Sequence, residues 1–255
     1  MQNAAQQQRA CAFCDLISAI MKAFFELSVA ARYFLFIVLI FVPVSGVVGY
    51  LRIRSGKPLR PKRQRYRVII VVQFIVLLVT LWAAHREGIV LLGREWGSPA
   101  IWLITAGYAG LIIWRGRRAW ARMSADRMEK ARRLLPDDPS LMRLWVRIAA
   151  MAAISEECAF RGLAYQLLVR MSFVPALAVL VCVVCFAIGH MTQGWRGVLG
   201  TFLLALIFHG LVFATQSLYL AIAFHAAFNL IVGSIAMPVL SRFAKAQEVK
   251  QVVEV

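Results

Sequence analysis

Long runs of apolar side chains, separated by short polar or basic segments, make up most of this chain. Several of these runs reach the length of about 20 residues that a helix needs to cross the hydrocarbon core of a bilayer. The pattern predicts an all-α fold, a polytopic membrane helical bundle of about seven to eight transmembrane helices. The predicted spans cover about residues 33–50, 68–84, 99–114, 141–168, 173–191, 197–214 and 217–238.

Two further segments have the spacing of helices that lie on the membrane surface. Residues 11–30 mix apolar side chains with Asp15, Lys22 and Glu26, which favours an interfacial amphipathic helix over another span. Residues 115–135 alternate Lys/Arg with apolar positions and predict a second surface helix. Within the first span, Pro43 and Gly46 are expected to bend the helix.

Pro136-Asp137-Asp138-Pro139 ends the second surface helix, because each proline lacks a helix donor and restricts the residue before it. Ser140, or an aspartate before it, is expected to cap the helix that begins near Leu141. This stop divides the chain into an N-terminal membrane anchor region, a catalytic helical core and a C-terminal tail. Their predicted boundaries are 1–135, 136–240 and 241–255.

Composition and charge point to the same class of protein. The 255 residues are 61% hydrophobic, and the net charge is +17. Eight Lys/Arg lie within 52–67 and eight more within 115–133, in loops where the positive-inside rule places cytoplasmic charge. These clusters predict contact with membrane lipids, through anionic headgroups, and not with nucleic acid. The basic loops fit an integral protein of the bacterial inner membrane.

The apolar C-terminal half keeps a small set of titratable side chains. Glu156 and Glu157 are the only acidic residues between Asp138 and Glu248, and three of the four histidines share this stretch. A charged group at membrane depth costs roughly 2.5–3.5 kcal/mol on insertion scales. Residues kept there at such a cost indicate proton-transfer chemistry inside the bilayer. The three histidines are His190, His209 and His225.

The spacing of these residues suggests distinct roles. Glu157 and Arg161 are four positions apart and share one helix face, so they can form an ion pair. Glu156 is rotated about 100° from Glu157, which leaves it free to titrate. His225 and Asn229 also share a face at a spacing of four. The plainer alternative is that these groups only hold helices together through hydrogen bonds and ion pairs.

Taken together, three motifs resemble those of the CAAX protease and bacteriocin-processing family, which includes the type II CAAX prenyl proteases. They are Glu156-Glu157 with Arg161, the pattern FxxxH ending at His190, and HxxxN from His225 to Asn229. The resemblance implies an intramembrane endopeptidase acting on a membrane-associated peptide or protein. It implies that Glu156 and His190 activate water and that His225 and Asn229 stabilise the oxyanion. Glu157 and Arg161 would support the first helix.

Other functions stay open at this point. Glutamates and histidines can bind Zn²⁺, but the zinc-protease pattern HExxH is absent from the sequence, and the resemblance favours a mechanism without a cofactor. A non-catalytic membrane scaffold or immunity protein would keep the same residues for packing. A proton-coupled transporter would use them as a relay, although no internal repeat supports this.

Overall fold

The computed structural model describes residues 14, 15, 17–93 and 96–253. Helices make up 85% of the structure, and its described residues contain no strand, so the predicted all-α membrane bundle is confirmed. The elements are α1 (17–26), α2 (Val29–Phe36), π1 (Ile37–Phe41), α3 (Val42–Arg54), α4 (Lys62–Glu87), α5 (Pro99–Ala121), α6 (Ala125–Leu134), α7 (Pro139–Glu156), π2 (Glu157–Ala164), α8 (Tyr165–Arg170), α9 (Pro175–Gly189), a 3₁₀ turn (Met191–Gln193), α10 (Trp195–Thr215) and α11 (Tyr219–Val253).

Four helices among the described residues are long and apolar enough to cross a membrane, and a shorter apolar helix spans Pro175–Gly189. The total of seven to eight spans stays a prediction. The long candidates are Val29–Arg54, Lys62–Glu87, Trp195–Thr215 and Tyr219–Gln247. Large apolar side chains such as Val71, Phe74 and Trp82 are exposed along α4, as expected of a helix in contact with lipid.

The described residues form two compact units, each assembled from three stretches of chain. The first unit comprises the described residues of Met1–Arg52, Leu78–Leu92 and Cys158–Gly210. The second comprises those of Ile53–Leu77, Gly93–Glu157 and Leu211–Val255.

In the first unit, Pro43 interrupts the regular helix. A proline cannot donate to the carbonyl four residues earlier, which here belongs to Leu39, and its ring crowds that carbonyl. The residues before Pro43 form the π-helical segment π1. The Leu39 carbonyl oxygen accepts a hydrogen bond from the Cys185 thiol, with Sγ at 3.6 Å. The helix therefore widens locally just before Pro43, and the expected bend stays a prediction.

In the second unit, helix α7 packs along α11. Their neighbourhood includes a buried cluster of Tyr66, Leu141 and Ile148, against which Trp145 packs. The Tyr66 hydroxyl donates to the carbonyl of Leu134 at 2.7 Å, which satisfies a polar group at the edge of the apolar cluster. This packing fixes the course of α7 toward its last residue, Glu156.

Two predicted segments differ in extent from the helices of the structure. The segment 115–135 is not one surface helix, because α5 continues to Ala121 and a separate α6 begins at Ala125. The helix that carries the last predicted span continues beyond residue 238, because α11 runs through Pro238 to Val253. The predicted start of a C-terminal tail at residue 241 stays a prediction. Residues 11–13 and 16 of the expected N-terminal helix lie outside the described residues.

The predicted stop before the core is confirmed, and Asp138 is the capping residue. Its side chain accepts hydrogen bonds from the backbone N–H groups of Ser140 and Leu141, at 2.7 and 2.9 Å. Helix α7 begins at Pro139, in the first turn where a proline is tolerated. Burial raises the pKa of Asp138, but the hydrogen bonds from Ser140 and Leu141 outweigh it and hold the pKa below its ordinary value.

We expect Asp138→Ala to lower the free energy of unfolding by about 0.5–2 kcal/mol, because two N–H groups lose their acceptor. Asp138→Asn should retain most of the stability at neutral pH. Since the pKa is lowered in the folded state, the carboxylate stabilises above the unfolded pKa of roughly 3.9, and this contribution disappears as the pH falls through the folded pKa. Thermal unfolding of all three proteins in detergent across pH measures both effects. An alanine variant as stable as wild type at neutral pH would contradict the assignment.

Candidate active site

The second unit brings three of the predicted site residues together. Glu156 ends α7 and Glu157 begins π2, while His225 projects from α11. The Nδ1 of His225 is hydrogen-bonded to Glu157 Oε1 at 2.8 Å, and its Nε2 lies 3.8 Å from Glu156 Oε2. Because a carboxylate can only accept, Nδ1 carries the proton in this bond. The ring is thus held by one glutamate and faces the other.

A carboxamide holds the other oxygen of Glu156. Gln73 Nε2 donates to Glu156 Oε1 at 2.5 Å, and the hydroxyl of Ser155 donates to Gln73 Oε1. These two bonds fix the orientation of the amide, since its oxygen faces a donor and its nitrogen faces an acceptor. Glu156 is therefore anchored through Oε1, and Oε2 points toward His225.

The environment of this carboxylate is nearly dry. The solvent-exposed fractions of the Glu156, Glu157 and His225 side chains are 13%, 0% and 9%. Glu156 Oε2 is buried, and no hydrogen-bond partner is found for it within the described part of the chain. Leaving such an atom unsatisfied costs about 1–3 kcal/mol, so the position favours a small polar molecule that can donate to it.

Asn229 lies one helical turn beyond His225 on α11. Its backbone carbonyl accepts a hydrogen bond from Trp145 Nε1 at 2.8 Å. A side chain at Gly233 would overlap the indole of Trp145, so the glycine permits this close packing of α7 on α11. The contact fixes the position of α11 along the axis of α7, and it therefore also fixes the position of His225. The oxyanion role of the Asn229 carboxamide stays a prediction.

Arg161 belongs to the first unit and is 2% exposed. Its guanidinium lies over the rings of Phe186 and Phe208, 4.5 and 5.5 Å from their centroids, and Nη2 donates to the carbonyl of Ala205. Cation–π contacts of this kind stabilise a desolvated arginine by about 2 kcal/mol or more. The ion pair with Glu157 stays a prediction. Arg161 and Glu157 share the π-helical segment π2, whose wider turn the sequence did not indicate.

His190 also belongs to the first unit, where it caps the end of α9. Its Nδ1 is hydrogen-bonded to the carbonyl of Phe186 at 2.8 Å, and the two rings lie 4.6 Å apart. The FxxxH spacing therefore has a local physical reason. Since Nδ1–H donates to a carbonyl, the neutral ring presents Nε2 as an acceptor. The participation of His190 in water activation stays a prediction.

Glycines allow the helix that carries His190 to pack closely on α3. A Cβ at Gly46 would overlap the backbone carbonyl groups of Ile188 and Gly189, and one at Gly189 would meet Val42. Small residues at such a crossing let two backbones approach within a membrane bundle. The end of α9 is therefore held at a fixed depth beside α3.

His209, for which spacing alone assigns no role and a supporting hydrogen bond is the expectation, is a buried residue of the first unit. Its Nδ1 is hydrogen-bonded to the carbonyl of Ala205 at 3.1 Å, and its ring meets Tyr165 edge-on. The same carbonyl accepts from Arg161. These contacts give His209 a packing and hydrogen-bonding role.

Metal ligation was the alternative chemistry for these residues. No group of three or more His, Cys, Asp or Glu with an arrangement suited to a metal ion is found among the residues that the structure describes.

Comparison with known protein families identifies the region that contains the site. Residues 138–231 match a family model described as type II CAAX prenyl endopeptidase Rce1-like. The predicted resemblance is confirmed. No curated protein and no solved structure matches the chain.

The match to the Rce1-like model supports a CAAX-type intramembrane protease as the general class of this protein, and therefore a peptidase. Together with the four long apolar helices, it also supports an integral membrane protein. All motif residues lie inside the matched segment: Glu156, Glu157, Arg161, His190, His225 and Asn229.

Gln73 lies outside the Rce1-like segment and was missed in the sequence. It is one of two polar residues, with Thr80, in the apolar run 68–84. An isolated carboxamide in a membrane span has to find a hydrogen-bond partner, and here that partner is Glu156. This isolation was the signal that could have identified it.

We expect Gln73→Leu to lower kcat about 10- to 100-fold with little change in KM, because Glu156 loses the donor that fixes its orientation. The matched control is Gln166→Leu, which removes a carboxamide that donates to Gly162 within its own helical stretch. Kinetics with a membrane-peptide reporter, beside thermal unfolding of both variants, separates positioning from stability. Equal loss of activity in the two variants would contradict a specific role for Gln73.

Proposed function

We propose that this protein is an intramembrane endopeptidase that hydrolyses a peptide bond in a membrane-associated protein or peptide, with Glu156 activating the attacking water. The observation that carries the proposal is the buried Oε2 of Glu156, which lies 3.8 Å from Nε2 of His225. A water about 2.8 Å from both atoms fits this separation. It would donate to the carboxylate and satisfy the buried oxygen.

The proposed reaction proceeds in two proton transfers. Glu156 removes a proton from the water as its oxygen attacks the peptide carbonyl, which forms a tetrahedral oxyanion. The protonated Glu156 then gives that proton to the amide nitrogen as the carbon–nitrogen bond breaks. The products are a carboxylic acid and an amine, and the glutamate returns to its ionised form.

His225 would stabilise the negative charge that develops on the carbonyl oxygen. In its protonated form both ring nitrogens are donors: Nδ1 bonds Glu157, and Nε2 faces the site. A donor fixed at such a position contributes about 2.7–4 kcal/mol in known oxyanion holes. Asn229, one turn further on the same helix, is the second donor implied by the family resemblance. His190 is assigned to water activation by that resemblance.

The substrate class follows from where the site lies. Its residues are carried by helices of a membrane bundle, so a peptide that is already held in or on the bilayer has the shortest route to them. The description of the matched family refers to CAAX prenyl substrates, so a prenylated C-terminus is one candidate class here, beside other membrane-bound peptides. The basic loops support a location in the bacterial inner membrane, with these loops on the cytoplasmic side.

The test is cleavage by the purified protein in lipid nanodiscs. Peptides ending in a CAAX sequence, with and without a farnesyl group, are incubated with the protein, and mass spectrometry locates any new terminus. Comparison of membrane peptides from cells with and without the active protein extends the test to natural substrates. If neither experiment yields a product, the proposed peptidase activity is wrong.

The same cleavage assay tests whether the activity depends on a metal ion. A mechanism based on Glu156 alone predicts that cleavage continues at an unchanged rate after treatment with a strong zinc chelator. Loss of activity that returns on addition of zinc would establish a metal-dependent mechanism instead.

A further inference from the structure

A second site lies in the second unit, around the start of α4. It is a cavity of about 530 Å³ whose walls come from the α3–α4 loop, the first turn of α4 and the helix α6 with the residues that follow it. The wall contains six basic side chains: Lys57, Arg60, Lys62, Arg65, Arg132 and Arg133.

Two acidic residues share the wall and neutralise part of this charge. Asp137 pairs with Lys62 at 2.8 Å and with Arg132 at 3.4 Å. Glu129 lies 3.7 Å from Arg132 and from Arg133. Six cations less two anions leave the cavity with a formal charge of +4. A concave surface of one sign concentrates the opposite charge, so this cavity favours an anion.

The six basic side chains differ in their hydrogen bonds and ion pairs. Arg65 donates to the backbone carbonyls of Arg133 and Arg60, which orients its guanidinium within the wall. For Lys57 and Arg60, no ion pair is found among the described residues. Gly56, at a φ of +69°, forms the turn that carries both into the wall. These two side chains are available to a ligand without breaking the pairs around Asp137.

The position of the cavity indicates what the anion is. Lys62 is the first residue of a 26-residue helix that is long and apolar enough to cross a membrane. If α4 spans the membrane, its first turn and this cavity lie at the depth of the lipid headgroups, where each Lys or Arg gains about 1 kcal/mol from anionic lipid. We infer that this cavity binds the phosphodiester headgroup of an anionic phospholipid, through Lys57 and Arg60 with Arg65 beside them.

The test is a binding titration on the full-length protein in neutral detergent. The probes are short-chain phosphatidylglycerol, short-chain phosphatidylcholine and inorganic phosphate. The cavity variant is Lys57→Gln/Arg60→Gln. The matched control is Arg122→Gln/Arg127→Gln, which removes the same charge from exposed positions that do not line the cavity.

We expect phosphatidylglycerol to bind the wild type and the control alike, and the cavity variant about 10- to 30-fold more weakly. Phosphatidylcholine should bind at least tenfold more weakly than phosphatidylglycerol, and inorganic phosphate should compete only at much higher concentration. Equal weakening in the cavity and control variants would overturn the site, since general basic charge would then explain the binding. Competition by inorganic phosphate at lipid concentrations would assign the cavity to a soluble phosphate and overturn the headgroup.

Discussion

Glu156→Gln is expected to lower kcat by about 10³-fold or more while leaving the folded protein intact. A carboxamide has nearly the same shape as a carboxylate, and its oxygen can still accept from Gln73. It cannot accept a proton from water at neutral pH, so the base of the proposed reaction is lost. General acid–base catalysis contributes 10²–10⁴-fold, and Glu156 would provide both the base and the acid.

The measurement is single-turnover cleavage of a membrane-peptide reporter, with thermal unfolding of the same preparations. Glu26→Gln is the matched control, because it makes the same chemical change at an exposed position on α1. Cleavage by Glu156→Gln at more than a tenth of the wild-type rate would exclude Glu156 as the base. A lower unfolding temperature together with lost activity would instead assign it a structural role, and that too would contradict the proposal.

The sequence predicted the class of fold, and it drew attention to titratable residues in apolar helices, because both depend on local rules. Length and hydropathy define membrane helices, and an ionisable residue inside one is rare enough to identify by inspection. The stop at Pro136 to Pro139 and its aspartate cap were likewise predictable from turn chemistry. The ends of the helices were harder to predict. The extension of α11 through Pro238 and the break between α5 and α6 depend on packing that no short pattern records.

The contacts within the site were not predictable from spacing alone. An ideal α-helix places Glu157 beside Arg161, but this part of the chain is π-helical, and in the described contacts Glu157 bonds His225 from another helix. The partner of Glu156 comes from residue 73, which is far away in sequence. A pattern of residues four apart reports neighbours on one helix and carries no information on which helices meet.

The loss of kcat caused by a substitution at Glu157 is expected to depend on the presence of the His225 imidazole. Glu157 accepts from Nδ1 at 2.8 Å, so in the proposed mechanism it would act through the imidazole, which it orients and whose positive charge it would stabilise in the transition state. Glu157→Gln keeps a hydrogen-bond acceptor but removes the charge. We expect kcat to fall about 10²-fold in this variant, and His225→Ala to lower it by about 10²–10³-fold, the value of one oxyanion donor.

The decisive measurement is the double variant Glu157→Gln/His225→Ala. If Glu157 contributes only through His225, the double variant should be no slower than His225→Ala alone, because the imidazole that Glu157 supports is already gone. Multiplied effects, about 10⁴-fold or more in the double variant, would show that Glu157 acts independently of His225 and would contradict the proposed dyad. Unfolding temperatures for all three variants separate this coupling from a shared loss of stability, since α7 and α11 stay joined through Trp145 and the Asn229 carbonyl.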